Sequence, residues 1–279
     1  MALHSVEAGS RLPSDLPPLL ILHGLFGAGN NFGSWASVLG ENHAPGRRIV
    51  LATLRNHGES EHAPSMGYEE MAADVVALCD RLGIARAVLC GHSLGAKVAM
   101  HVALEHPERV ERLLVLDMAP VSYTTSDGSN WGSIEQIVRA MRALDVEQLG
   151  SKRDADAALA PAVRDPGLRA FVLTNLVRSA AGQKGWRWRI NLPAIEAALP
   201  SLAAWDADRF GRRYDGLALF VAGGRSRYIR STHLPAIEAH FSAFSLTKLK
   251  NADHWVHADE PEALHLVAAN FLRFRQERS

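Results

Sequence analysis

Residues 88–97 read VLCGHSLGAK, and this stretch decides the fold. A run of apolar residues typical of a buried strand ends at Gly91, and an alanine-rich segment with helical character follows Ser93. G-x-S-x-G at a strand-to-helix turn is the nucleophile elbow, which presents a strained serine above a sheet at the positive end of a helix. Glycines at 91 and 95 avoid clashes there. Ser93 is the predicted nucleophile; the alternative is a glycine-flanked serine in an ordinary turn.

Short apolar runs alternate with helical patterns on both sides of this stretch. Strands are predicted over residues 19–24, 48–54, 87–91, 112–117 and 217–224, with a shorter strand over 245–250. Helices are predicted over residues 68–82, after Ser93, from Leu234 onward and over residues 261–276. Because the predicted strands are continuously apolar rather than alternating, they indicate a mostly parallel central sheet with helices on both faces, which is the α/β class.

The pattern changes in the middle third of the chain. Residues 121–213 have mostly helical character and contain no strong buried strand. The strand pattern then resumes at Leu217. We therefore predict a helical cap over residues 121–213, inserted between two halves of one α/β core that comprise residues 1–120 and 214–279.

The composition narrows the class of protein. The chain has 279 residues, and 47% of them are hydrophobic, which is enough for a large core. Basic and acidic residues number 30 each, so the net charge of zero argues against a nucleic-acid partner and gives no reason to expect an anionic membrane surface. Cys79 and Cys90 are too few for a disulfide framework and are predicted to be small buried residues.

The sequence also gives an expectation for location. The N-terminal residues lack the basic start and apolar core of a secretory signal, and no apolar run reaches the ~18 residues of a membrane-spanning helix. These observations predict a cytoplasmic protein, or a protein of the mitochondrial matrix if its source is eukaryotic. The oligomeric state, monomer or dimer, stays open.

A serine hydroxyl is a weak nucleophile until a base takes its proton, and the base has to come from elsewhere in the chain. Among 13 histidines, His254 is favoured because it lies on a turn between a predicted strand and the last helix. His257, three residues further on, is the rival. The oxyanion of the reaction needs backbone donors. We predict the N–H groups of Leu94 and Leu25, with Phe26 as the alternative to Leu25.

Three motifs together resemble the α/β-hydrolase fold family. They are HGLFG at residues 23–27, RNHG at residues 55–58 and GHSLGAK at residues 91–97. They are most similar to a branch of small intracellular carboxylesterases and thioesterases. This resemblance implies an α/β-hydrolase fold and a serine hydrolase that cleaves carboxylic esters or thioesters of short-to-medium acyl chains through an acyl-enzyme. Such chemistry needs a small-molecule substrate and neither a metal nor an organic cofactor.

The sequence departs from the wider family at the acidic member of the catalytic triad. That family carries its acid on the loop after the strand predicted over 217–224, but here the loop reads GGRSRYI and Ser226 occupies the position. Asp117 ends the strand expected beside that of Ser93, from which a carboxylate can reach His254, and the branch resembled places its acid there too. Asp117 is therefore the predicted acid; the alternative is a cap on the following turn.

Other functions stay open at this point. Carbon–carbon bond hydrolysis or perhydrolysis uses the same scaffold, and a non-enzymatic ligand-binding member of the fold is a third class. The cationic and aromatic stretch KGWRWRINLP and the arginines of the 225–230 loop could contact an anionic part of a substrate. The simpler interpretation is that they are solvated charges and packing tryptophans.

Overall fold

The computed structural model describes residues 1–9, 15–124, 131–179 and 185–273. Its strands are β1 Ser5–Gly9, β2 Leu19–Leu22, β3 Arg48–Ala52, β4 Ala87–His92, β5 Val110–Leu116, β6 Leu176–Arg178, β7 Trp186–Trp188, β8 Tyr214–Gly223 and β9 Phe241–Leu249. Seven of them form one sheet in the order β1-β3-β2-β4-β5-β8-β9. Every neighbouring pair is parallel except β1 and β3. The predicted α/β class and mostly parallel sheet are confirmed.

Helices cover both faces of this sheet. They are α1 Gly33–Val38, α2 Tyr68–Arg81, α3 Leu94–Glu105, α4 Trp131–Ala143, α5 Lys152–Leu159, α6 Pro166–Leu173, α7 Leu192–Ala203, α8 Leu234–His240, α9 Val256–Asp259 and α10 Pro261–Arg273. Residues 274–276 of the predicted last helix lie outside the described residues. The predicted helix over 68–82 is confirmed as α2.

Successive residues of a strand point to opposite faces, so the buried strands feed two separate apolar clusters. Leu20 and Leu22 of β2 join the cluster that contains residues of α2 and α3. Leu19 and Ile21 join the second cluster, with residues of α1 and α10. This double burial explains why β2 to β5 are continuously apolar in sequence.

Two parts of the strand arrangement are absent from the sequence prediction. Strand β1, with the sequence SVEAG, lies at the edge of the sheet and pairs with β3 alone. Strands β6 and β7 form an antiparallel hairpin of three residues each, separate from the main sheet. Short edge and hairpin strands leave a weak pattern because only part of each is buried.

Residues 121–213, which we call the cap segment, contain α4 to α7 and the β6–β7 hairpin. None of its described residues joins the seven-stranded sheet. The side-chain amide of Asn175 donates a hydrogen bond to the Phe26 carbonyl at 2.8 Å, which ties this segment to the loop after β2. The division into a core and an inserted cap stays a prediction.

Cys79 on α2 and Cys90 on β4 are both buried free thiols, as the composition predicts. Burial raises the pKa of Cys79 to about 11 and raises that of Cys90 as well. Neither thiol is therefore ionised near neutral pH. Within the described ranges, no helix combines the length and the hydropathy that crossing a membrane requires.

Candidate active site

The turn between β4 and α3 holds Ser93 in a strained backbone conformation, with φ 53° and ψ −116°. A side chain at Gly91 would overlap the backbone of Gly95, and one at Gly95 would overlap the carbonyl of Leu22. The two glycines therefore let the helix start directly against neighbouring backbone. The N–H of Ser93 donates to the Leu116 carbonyl at 3.2 Å, which fixes the turn to strand β5.

The carboxylate of Asp117 meets the ring of His254 at the same edge of the sheet. Asp117 directly follows β5, is fully buried and has a φ of 49°. The Nδ1–H of His254 donates to its Oδ2 at 2.8 Å. The N–H of Gly223 donates to its Oδ1 at 3.0 Å, and the Ser226 hydroxyl donates to Oδ2. Since Nδ1 is engaged, Nε2 is the nitrogen of His254 left to accept a proton.

The hydroxyl of Ser226, on the loop after β8, donates a hydrogen bond to the carboxylate of Asp117. The loop after β8 therefore still contributes to this cluster through a neutral hydrogen-bond donor. The same hydroxyl accepts the N–H of Tyr228 at 3.2 Å, and the ring of Tyr228 lies 4.2 Å from that of His254. The sequence predicts no role for Ser226, because its bond to Asp117 joins residues more than 100 positions apart.

His254 is also held through its backbone. The Nε2–H of His92 donates to the carbonyl of His254 at 2.9 Å, and the two rings lie 4.7 Å apart. Next to them, the carboxylate of Asp253 accepts the N–H of His254 at 2.9 Å and so stabilises the turn. His92 thus links the serine turn to the histidine loop, a contact that the sequence does not reveal.

Ser93 and His254 line one cavity of about 270 Å³, which we call the main cavity. Its other walls come from the loop after β2 and from the cap segment. The cap contributes mostly apolar side chains, which are Ile134, Ile137, Leu168 and Phe171. The site therefore offers a concave, largely apolar space next to the serine.

The loop after β2 is shaped by two buried neutral histidines. The N–H of Phe26, a residue with φ 64°, donates to Nε2 of His57 at 3.2 Å. Nδ1–H of His57 donates to the Arg55 carbonyl at 2.9 Å. Burial lowers the pKa of His57 to about 4, so the ring stays neutral and can accept this bond. His23 accepts the N–H of Leu54 in the same way at 3.0 Å.

This geometry separates the two candidates for the second oxyanion donor. The N–H of Phe26 is already bonded to His57. The N–H groups of Leu25 and Leu94 have no acceptor among the described residues, and both residues adjoin Ser93 in one small pocket. Leu25 and Leu94 are therefore free to bind an oxyanion, and Phe26 is not.

Among the described residues, the alternative base His257 and the cationic residues singled out in the sequence form no hydrogen bond with Ser93 or Asp117. His257 stacks on Phe32 at 4.1 Å, and burial lowers its pKa to about 4. It lines the main cavity but has no bond to Asp117 in the described part of the chain. Arg225 and Arg227 are exposed and do not line the main cavity, and Lys184 lies outside the described residues.

A parallel sheet that carries a serine on a strand-to-helix turn, with a histidine and a carboxylate at the same edge, defines an α/β-hydrolase type of protein. The chain belongs to the α/β-hydrolase fold family, whose model matches residues 17–261. This confirms the family that the three sequence motifs indicate.

Its relatives include esterases and lipases. The chain is 37% identical to the sn-1-specific diacylglycerol lipase ABHD11 of Mus musculus, over 93% of this chain and 82% of the mouse protein. It is 30% identical to Esterase YbfF of Escherichia coli K12, over 91% of this chain and 92% of that protein. Among solved structures, a marine microorganism esterase superposes with a TM-score of 0.89 at 30% identity, covering 96% of this chain and 98% of the esterase.

Proposed function

We propose that the protein is a serine hydrolase that cleaves carboxylic esters, or thioesters, through an acyl-enzyme on Ser93. The observation that carries the proposal is that His254, which bonds to the buried carboxylate of Asp117, lines the same cavity as Ser93. A histidine oriented by a buried carboxylate beside a serine is the arrangement that makes a hydroxyl nucleophilic. The esterase and lipase relatives support the same class of reaction.

The reaction follows from the positions of these groups. Oγ of Ser93 attacks the carbonyl carbon while Nε2 of His254 takes the hydroxyl proton, and Asp117 stabilises the imidazolium. The carbonyl oxygen becomes an oxyanion that the N–H groups of Leu25 and Leu94 hold; each such donor is worth on the order of 100-fold in rate. The bond to the leaving oxygen or sulfur then breaks, and that atom takes the proton from His254.

The second half of the reaction uses the same groups. Water gives a proton to His254 and attacks the acyl-Ser93 carbonyl. The resulting oxyanion collapses, the carboxylic acid leaves and Ser93 recovers its proton from His254. The apolar lining of the main cavity suits an apolar small-molecule ester, and no step requires a metal or a cofactor.

The proposal is tested by labelling with a fluorophosphonate and by hydrolysis of p-nitrophenyl acetate. Wild-type protein is expected to be labelled and active, whereas Ser93→Ala should lose the label and at least ~10⁴-fold in kcat. Ser37→Ala, which removes an exposed hydroxyl on α1, is the control and should keep both. Labelling without turnover of any ester would favour carbon–carbon bond hydrolysis or perhydrolysis, and absence of labelling would favour a binding protein.

A further inference from the structure

Two cavities meet at Ser93. Besides the main cavity, a second and much smaller one, the inner pocket, lies behind the serine turn and has a volume of about 20 Å³. Its lining includes Leu25, Leu94, Lys97, Met118, Trp131 and Leu202. Four residues line both cavities, so the two adjoin at the nucleophile; they are Leu25, Ser93, Ile134 and Tyr228.

The two cavities differ in which catalytic group they contain. His254 lines the main cavity and not the inner pocket. Because His254 gives its proton to the leaving atom, the leaving group has to lie on its side of the carbonyl. The acyl chain, on the opposite side of the same carbonyl carbon, is then directed toward the inner pocket. Of the two proposed oxyanion donors, Leu25 lines both cavities and Leu94 lines the inner pocket alone.

The two volumes are very unequal. A space of this kind needs ~10–15 Å³ to hold one water molecule, so the inner pocket admits about one methyl group. The main cavity is more than ten times larger, at about 270 Å³. Leu168 and Phe171 also line a groove of about 510 Å³ that continues past Trp255. A bulky leaving group can therefore fit in the main cavity and extend along the apolar surface of this groove.

The walls of the inner pocket are fixed by buried hydrogen bonds. The hydroxyl of Tyr123 donates to the Tyr228 carbonyl at 2.6 Å and accepts the N–H of Ala119 at 3.0 Å. The ammonium of Lys97 donates to the carbonyls of Ala203 and Ala204 at 3.0 and 2.9 Å. Widening the pocket for a longer chain would disturb these bonds, and the two bonds of the Tyr123 hydroxyl are buried, where a lost hydrogen bond is costly.

From these observations we propose that the enzyme selects acetyl-sized acyl groups on bulky, apolar alcohols or thiols, and that Trp131 and Met118 set the limit on acyl length. This inference rests on the proposed serine hydrolase function and names its substrate class. Trp131 and Met118 line the inner pocket and not the main cavity, so they act on the acyl side alone.

The test compares p-nitrophenyl acetate, butyrate and octanoate, which share one leaving group. Wild-type kcat/KM is expected to fall at least ~100-fold from acetate to octanoate, because each methylene without space costs roughly tenfold or more. Trp131→Ala should raise the octanoate-to-acetate ratio by at least ~10-fold. Met118→Ala should raise the same ratio, and it provides the test if Trp131→Ala fails to fold. Fluorophosphonate labelling reports folding of the serine turn in each variant.

Phe171→Ala is the matched control. It removes an aromatic side chain of the cap segment that lines the main cavity but not the inner pocket. It should leave the acyl ratio unchanged and alter the preference between ethyl and naphthyl acetates. Two outcomes would overturn this inference and leave the proposed function standing. The first is equal turnover of acetate and octanoate by the wild type. The second is an acyl ratio that changes in Phe171→Ala but in neither pocket variant. Absence of both labelling and ester turnover would overturn the proposed function and this inference with it.

Discussion

At the scale of single residues, backbone strain gathers around the candidate site. Among the described residues, the non-glycine positions with positive φ are Phe26, Asn56, Ser93 and Asp117. Three of them carry or adjoin groups of the proposed mechanism, and Asn56 precedes His57, which binds the loop after β2. Such conformations cost ~1–3 kcal/mol each and persist where the surrounding structure holds them. The strain therefore indicates a site whose geometry is set before substrate arrives.

The Asp117→Asn variant tests the proposed acid. An amide keeps the volume of the carboxylate but presents an NH₂ group toward donors and cannot stabilise an imidazolium by charge. We expect kcat for p-nitrophenyl acetate to fall by ~10³–10⁴-fold. Asp259→Asn is the control, because Asp259 accepts a backbone N–H in the same loop and does not touch the ring. Near-normal turnover in Asp117→Asn would remove it from the mechanism.

Residue chemistry explains which site members sequence could identify. Ser93 was predictable because the flanking glycines are a steric necessity, and Asp117 because the loop after β8 lacks a carboxylate. The preference for Leu25 over Phe26 has a structural reason that the sequence does not contain, namely the positive φ of Phe26 and the bond of its N–H to His57. Lys97 and His92 were missed for a similar reason: their partners lie more than 100 residues away in the chain.

At the scale of secondary-structure elements, one buried lysine joins the helix after the nucleophile to the cap segment. Lys97 on α3 is 1% exposed, and its ammonium donates to carbonyls at the end of α7. It lies over the rings of Tyr68 and Tyr123 at 5.5 and 5.1 Å. Helix carbonyls carry partial negative charge, so a cation at this end is stabilised. Burial nonetheless lowers its pKa to about 7.

Replacing Lys97 should weaken the contact between α3 and the cap segment and lower the stability of the protein. Lys97→Met removes these charged donors and the contacts of the ammonium with the two tyrosine rings. The Leu202 and Ala203 carbonyls keep the Tyr68 hydroxyl and the Tyr123 N–H as donors, and Ala204 is exposed, so we expect the free energy of unfolding in urea to fall by about 1–2 kcal/mol. Lys152→Met is the control, because exposed Lys152 makes a single comparable bond to the Leu173 carbonyl at 3.1 Å. Equal stability of the two variants would show that the buried cation contributes nothing.

Elements were predictable from sequence where both faces of a strand are buried. Strands β2 to β5 are visible as uninterrupted apolar runs, and their predicted ends differ from the observed ones by a few residues. Strand β1 and the β6–β7 hairpin lack that pattern because each has one partner strand and polar residues on its open side. The helical character of the cap segment was visible, but the way its helices close over Ser93 depends on contacts between distant residues.

At the scale of the whole molecule, buried histidines couple stability to pH. Burial lowers the pKa of His23 to about 3 and that of His57 to about 4, whereas an unfolded histidine titrates near ~6.5. Between these values the unfolded chain binds more protons than the folded one, so stability falls as the pH drops from about 6.5 toward 4. Above this window both states are neutral and the effect vanishes.

Urea unfolding at pH 8 and pH 5 measures this coupling. Each buried histidine is expected to cost about 2 kcal/mol at the lower pH. His57→Gln keeps an oxygen acceptor for the Phe26 N–H, but the new side chain does not titrate. The variant should therefore lose about 2 kcal/mol less free energy of unfolding between pH 8 and pH 5 than the wild type does. His106→Gln, at a partly exposed histidine, should behave like the wild type. Equal losses in all three proteins would contradict the prediction.

The size of the main cavity bears on the fate of the acyl-enzyme after an alcohol departs. Once that product has gone, the acylated serine faces a vacant chamber with mostly apolar walls. Bulk water gains little from such walls, while a fresh alcohol molecule gains by covering them. We therefore expect the acyl-enzyme to react with alcohol as well as with water, so that in alcohol-rich medium part of the acyl group would be transferred to a new ester, which product analysis would detect.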